Sequence, residues 1–133
     1  MSGFATNPRE QPLVYVVDDE ESLLDIAELA LRADGYSLKV FRDPQAAFEA
    51  FTHEPSKPSL LLTDYAMLPF DGIELSAKCK SAHPGLKVLL VSGTVHSAFA
   101  LHAGSTVDEF IAKPYQPEQL ARTVKSMLGA EAV

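Results

Sequence analysis

Leu13-Val14-Tyr15-Val16-Val17-Asp18-Asp19-Glu20-Glu21 is the stretch that decides the fold. Five apolar residues in a row have strand length and lack the alternation of a strand with one wet face. They suit a strand covered on both sides. The four acids end it at once. Carboxylates are favoured in a helix's first turn, and residues 20–34 carry helical spacing: Leu23, Ala27, Ala30 and Leu31 share a face, with Leu24 beside them. Gly35 stands where a left-handed stop is expected.

The same unit recurs outward from it. Leu38 to Phe41 reads as a second strand, and Asp43-Pro44 as a helix start with Pro at the first helical position. That helix runs through Ala46, Ala47, Phe48 and Phe51 and ends before Pro55. Leu60-Leu61-Leu62-Thr63 is a third strand running into Asp64, followed by a loop to Gly72 and a helix over about 73–82. Lys87 to Val91 is a fourth strand, ending in Ser92-Gly93. A short helix is expected over about 95–103, then a fifth strand, Glu109 to Ala112, ending in Lys113-Pro114. Pro117 opens a last helix with Leu120, Val124, Met127 and Leu128 on one face. Strands alternating with helices predict an α/β fold with a parallel sheet and helices on both faces. Residues 1–12 are polar, hold two prolines and read as a disordered tail; residues 13–133 read as one domain.

Composition narrows the function. The chain has 133 residues, 47% hydrophobic and 22% charged, with a formal net charge of −7. Such a surface repels phosphate backbones and anionic lipids, so nucleic-acid and membrane binding by this domain are not expected. Cys79 is the single cysteine, which excludes an intrachain disulfide and a Cys-rich zinc site. No apolar run has transmembrane length, and the N-terminal sequence lacks the pattern of a secretory signal, so a cytoplasmic location is expected. The four histidines, His53, His83, His96 and His102, show no shared metal-ligand spacing.

In a parallel sheet, ligands bind beyond the carboxyl ends of the strands. Those ends carry Asp18 and Asp19, Asp64, Ser92, and Lys113. Singly, each has a bland explanation: Asp commonly caps a helix or loop, and a lysine is commonly a surface charge. Together they make three carboxylates, a hydroxyl and an amine on one edge. Carboxylates in such numbers repel unless a cation neutralises them, and an oxygen-only donor set suits a hard ion such as Mg²⁺. A carboxylate can attack phosphorus to give an aspartyl phosphate, with Mg²⁺, Lys113 and Ser92 sharing the charge on the phosphoryl oxygens.

VVDDEE (16–21), TDYAMLPFDG (63–72), VSG (91–93) and FIAKPY (110–115), in this order and spacing, resemble the receiver domain of bacterial response regulators across residues 13–129. The resemblance implies a flavodoxin-like doubly wound sheet of strand order 2-1-3-4-5. It implies that Asp64 is the phosphoacceptor. Asp19 would ligate Mg²⁺ directly, Asp18 through water, and Ala66 through its backbone carbonyl. Ser92, Lys113 and Phe110 would be the phosphoryl-binding and switch residues, and Lys113–Pro114 a cis bond. It implies a donor, a sensor histidine kinase or a histidine phosphotransfer protein, and a downstream protein target. That target would read the surface formed by the fourth and fifth helices and the fifth strand, through which a phosphorylation-favoured homodimer could also form. The protein would be a signalling switch and not a turnover enzyme. Stand-alone receiver, relay intermediate and piece of a longer protein are all compatible with a chain that ends at Val133.

The pattern departs from the family in three places. Leu68 separates Met67 from Pro69, the fourth helix is short, and Phe110 lacks the hydroxyl of a tyrosine. Ala66 and Thr94, at positions that help place the attacking water in the family, carry no amide or carboxylate, which predicts slow self-dephosphorylation. Three other readings compete. A receiver fold that is never phosphorylated is opposed by the intact set of five residues. A haloacid-dehalogenase-like phosphatase would need a second Asp two residues after Asp18, where Glu20 stands. A flavodoxin-type FMN protein would need a hydroxyl- and Gly-rich loop after the first strand, where the acids would repel phosphate.

Overall fold

The computed structural model describes residues 11–93 and 106–132. Along the chain come β1 (Leu13–Val17), α1 (Glu21–Ala33), β2 (Ser37–Phe41), α2 (Pro44–His53), β3 (Leu60–Asp64), α3 (Gly72–Ala82), β4 (Lys87–Ser92), β5 (Glu109–Ala112) and α4 (Pro117–Ala132). The strands form one parallel sheet in the order β2-β1-β3-β4-β5, the doubly wound order expected. The helix expected over about 95–103 and residues 1–10 of the expected tail lie outside the described residues. The carbonyl of Pro12 already accepts the Ser37 N–H at 3.1 Å, so pairing with β2 begins just before β1.

The unbroken apolar runs have a simple cause. Alternate side chains of a strand point to opposite faces, and both faces of this sheet are covered. Val14, Val16, Leu60, Leu62, Leu89, Val91 and Ile111 pack against α1 and α4 through Leu23, Ala27, Leu31, Leu120 and Val124. Tyr15, Val17, Leu61, Val88 and Leu90 pack against α2 and α3 through Ala47, Phe51, Leu75 and Cys79. All five residues of β3 are buried, as the central strand requires.

Local signals set the helix ends. The Asp43 carboxylate accepts the Gln45 N–H at 2.7 Å with Pro44 opening α2. Asp71 does the same for α3 through the Glu74 N–H at 2.8 Å. Gly35, with φ of 91°, closes α1 in a conformation that suits a residue without a Cβ. Lys57 Nζ donates to the carbonyl oxygens of Phe51 and Glu54 at the end of α2. The start of α1 is different: Glu20 occupies the cap position without a side-chain cap bond. The acids there are left for another use.

Candidate functional site

A parallel sheet brings the carboxyl ends of its strands to one edge. Asp18 directly follows β1, Asp64 ends β3, Ser92 ends β4 and Lys113 directly follows β5. Register keeps them level: Asp64 pairs with Val91, Ser92 with Ala112, and the Lys113 N–H donates to the Ser92 carbonyl at 2.9 Å. Carboxylate oxygens of Asp18, Asp19 and Asp64 lie within 4.8 Å of one another. Asp18 is fully buried and Asp64 is 6% exposed, whereas Asp19 faces solvent. Lys113 Nζ stands 2.9 Å from Asp64 Oδ1 and 4.0 Å from Asp18 Oδ2.

Burial and repulsion act on the two buried acids, Asp18 and Asp64. Burial, with Asp64 and Asp19 adding to it, pushes the Asp18 carboxyl up to about 6, although the Glu20 N–H at 2.9 Å from Oδ1 and the Lys113 charge oppose the rise. Asp64 is also raised, chiefly by burial, against the Lys113 hydrogen bond and charge and the backbone N–H of Ala66. Burial lowers the Lys113 ammonium, but the Asp64 hydrogen bond and the charges of Asp64, Asp18 and Glu20 outweigh it and leave Lys113 firmly protonated. One ammonium therefore faces three carboxylates. Asp18 Oδ2 is buried with no hydrogen-bond donor. Oxygen-only donors, a surplus of negative charge and one buried, unserved oxygen fit a hard divalent cation.

The loop after Asp64 is held at both ends. The Tyr65 N–H donates to the Val91 carbonyl and the Gly72 N–H to the Tyr65 carbonyl, each at 2.9 Å. Met67 packs into the α2–α3 side of the core, while Leu68 is 82% exposed before a cis Leu68–Pro69 bond. The residue that parts Met67 from Pro69 is thus turned to solvent, and Asp71-Gly72 keeps its place. Lys113–Pro114 is cis, as the resemblance implied. Phe110 is half-buried against the α2–α3 side of the core. Thr94 lies outside the described residues. A cleft of about 450 Å³ opens beside Lys113, lined by Ser22, Ile26, Gly93, Lys113, Pro114 and Tyr115.

Three residues that frame the site carry no sequence signal of that role. A Cβ on Gly72 would sit 2.3 Å from the Asp64 carbonyl oxygen and 2.9 Å from Leu90 Cδ1, so α3 starts against the acceptor's own peptide. Lys78 Nζ lies 5.3 Å from the Phe48 ring centre and 5.2 Å from that of Phe70, tying the acceptor loop to α2 and α3. Arg42 reaches over the loop that carries Asp18 and Asp19. Only the folded chain brings these partners together. His53 and His83 make no metal cluster among the described residues, and no described helix is long and apolar enough to cross a membrane.

Known proteins agree with this geometry. The family model for the response regulator receiver domain matches residues 14–125. The Mycobacterium tuberculosis protein named "Probable transcriptional regulatory protein TcrX" is 30% identical over 127 residues, covering 92% of this chain and 53% of that protein. The chain thus spans about half the length of that relative. CpdR of Brucella abortus, a response regulator receiver protein, is 30% identical over 120 residues, covering 88% of this chain and 97% of CpdR. The crystal structure of a CheY-like receiver domain protein from Methanospirillum hungatei superposes with a TM-score of 0.79 at 27% identity, over 91% of this chain and 96% of that one.

Proposed function

The chain belongs to the response regulator receiver domain family of two-component signalling, and from that premise we propose that it is a phospho-acceptor switch working through Asp64. The donor is the phosphohistidine of a sensor histidine kinase or of a histidine phosphotransfer protein. The observation that carries this reading is the buried Asp64 carboxylate, 2.9 Å from Lys113 Nζ and clustered with Asp18 and Asp19. A carboxylate with that escort can act as a nucleophile toward phosphorus.

In the transfer, an Asp64 oxygen attacks phosphorus in line with the histidine nitrogen. The O–P bond forms as the P–N bond breaks, and the imidazole leaves with the electron pair and takes a proton from water. The Lys113 ammonium passes from the carboxylate to a phosphoryl oxygen, and the Ser92 hydroxyl donates to another. Asp18, Asp19 and Asp64, with the Ala66 carbonyl, would hold Mg²⁺, which supplies counter-charge to the phosphoryl oxygens. The cleft beside Lys113 and Tyr115 opens next to the lysine that pairs with Asp64, and a donor would approach there.

The acceptor is consumed by the transfer, so the protein is a switch and not a turnover enzyme. New charge at the end of β3 draws Ser92 and Lys113 toward it, and Phe110 follows into the vacated space. The surface around β5 and α4, with the helix expected before β5, changes shape for a protein target. Nucleic acid and membrane are not partners of this domain, and the cytoplasm is its compartment.

Incubation with acetyl phosphate, with and without Mg²⁺, followed by intact mass, tests the reading. A Mg²⁺-dependent gain of one phosphoryl group that Asp64→Asn abolishes is expected. No gain in a protein that binds Mg²⁺ would make it a phosphorylation-independent interaction module.

A further inference from the structure

We infer that Arg42 is a positioning residue that holds the acidic loop in register for the divalent cation; the inference rests on the metal assignment above. Arg42 follows β2, the edge strand beside β1. Its backbone starts from a fixed point. On one side the Phe41 carbonyl accepts the Asp18 N–H at 3.0 Å, and on the other Asp43 caps α2. From there the guanidinium spans two elements. Nη1 is 3.1 Å from Glu21 Oε2, on the first residue of α1, and Nη2 is 3.4 Å from the Asp19 carbonyl oxygen.

An isolated ion pair this exposed is ordinarily worth little, because two long side chains must be frozen to make it. This one differs in its second arm. Glu21 is anchored on a helix and prefigures where the guanidinium lies, so the rigid fork delivers its other donor to a backbone atom of the loop. That backbone atom belongs to Asp19, the solvent-facing member of the carboxylate cluster. Asp18 is fixed by burial and by the Glu20 N–H, and Asp64 by β3. Asp19 has neither support, and among the described residues Arg42 is the side chain from another element that hydrogen-bonds its backbone.

Charge alone predicts the opposite behaviour. A guanidinium on the loop that carries Asp18 and Asp19 competes with a cation, so deleting it should tighten Mg²⁺ binding, most at low salt. A positioning role predicts loosening, because the loop must then be ordered at the moment the ion binds. The sign of the effect separates the two.

The test is Mg²⁺ titration by calorimetry of the wild type, Arg42→Gln and Arg42→Lys, together with amide hydrogen exchange of residues 18–21 in chelator-treated protein. Arg42→Gln is expected to raise the Mg²⁺ dissociation constant about three- to fivefold. It should also speed exchange across the loop without metal. Arg42→Lys, which keeps the charge and loses the fork, should not recover either property. Unchanged or tighter Mg²⁺ binding by Arg42→Gln, or full recovery in Arg42→Lys, overturns the inference. A wild type that takes no Mg²⁺ overturns the metal assignment instead, and the exchange arm then decides alone whether Arg42 orders the loop.

Discussion

Lys113 Nζ lies 2.9 Å from Asp64 Oδ1, and among the described residues this ammonium is the side-chain cation paired with the Asp18–Asp19–Asp64 cluster, through Asp64 and Asp18. The pair compensates Asp64 and leaves Asp18 poorly served: Asp18 Oδ2 is 4.0 Å from the same nitrogen and has no hydrogen-bond donor. The cation-free protein therefore holds a buried charge it would be more stable without.

Asp18→Asn should stabilise the cation-free protein at neutral pH. Burial, above all, raises the Asp18 carboxyl to about 6 from an ordinary value of 3.8. A raised carboxyl binds its proton more tightly folded than unfolded. Its cost to stability is complete above pH 6 and is relieved as pH falls toward 3.8. The shift corresponds to at most about 3 kcal/mol, so a gain of about 1 to 3 kcal/mol is expected at pH 7.5 in chelator. The gain should shrink below pH 6. Added Mg²⁺ should raise the Tm of the wild type more than that of the variant. Urea unfolding at pH 5 and 7.5 reads all of this, and a variant less stable than wild type at both pH values in chelator would refute it.

Gly72→Ala should damage the site from beneath. The new Cβ would lie 2.3 Å from the Asp64 carbonyl oxygen, a backbone atom that cannot step aside alone. Either α3 moves off β3 or the acceptor's peptide shifts. A loss of about 3 kcal/mol, some 10 °C in Tm, is expected. Phosphorylation from acetyl phosphate should slow even well below the new Tm. A variant with wild-type Tm and rate would show that the contact relaxes at no cost.

The difference between Asp64 and Gly72 shows what the sequence makes legible. Asp18, Asp64, Ser92 and Lys113 stand at strand ends, and strand ends are marked by where apolar runs stop. Their convergence follows from a parallel sheet, so those four could be placed before any geometry was known. The helices of residues 21–33 and 44–53 were equally plain from acidic and Asp-Pro starts and from Gly35. Gly72, Arg42 and Lys78 were not, because their partners (Asp64 and Leu90; Glu21 and Asp19; Phe48 and Phe70) are brought together only by packing. The Leu68 departure was visible, but not its outcome, a side chain 82% exposed with Met67 still buried.

Tyr15→Phe should leave the protein as stable as before or more so. Tyr15 is 1% exposed, its ring packs 4.9 Å from that of Phe41, and its hydroxyl is buried without a partner. Deleting a buried, unserved hydroxyl while keeping the ring removes a desolvation cost of about 1 kcal/mol or more. The urea midpoint should rise without a change in slope. A midpoint that falls would reveal a partner for the hydroxyl.

Ala66 is expected to set how long a phosphoryl group stays on Asp64. It is exposed two positions after Asp64, and its methyl offers no group to orient a water for in-line attack on the phosphoryl-aspartate. The phosphorylated protein should therefore persist well beyond seconds at neutral pH. Ala66→Glu and Ala66→Asn place an acceptor or an amide beside the phosphoryl group, and each should shorten the lifetime at least about tenfold. Because the side chain faces solvent, neither change should disturb folding, and the Tm serves as the control. Decay is followed by intact mass after the acetyl phosphate is removed. A wild-type lifetime of seconds would mean that another group already positions the water, and equal lifetimes in all three proteins would mean that position 66 does not reach it.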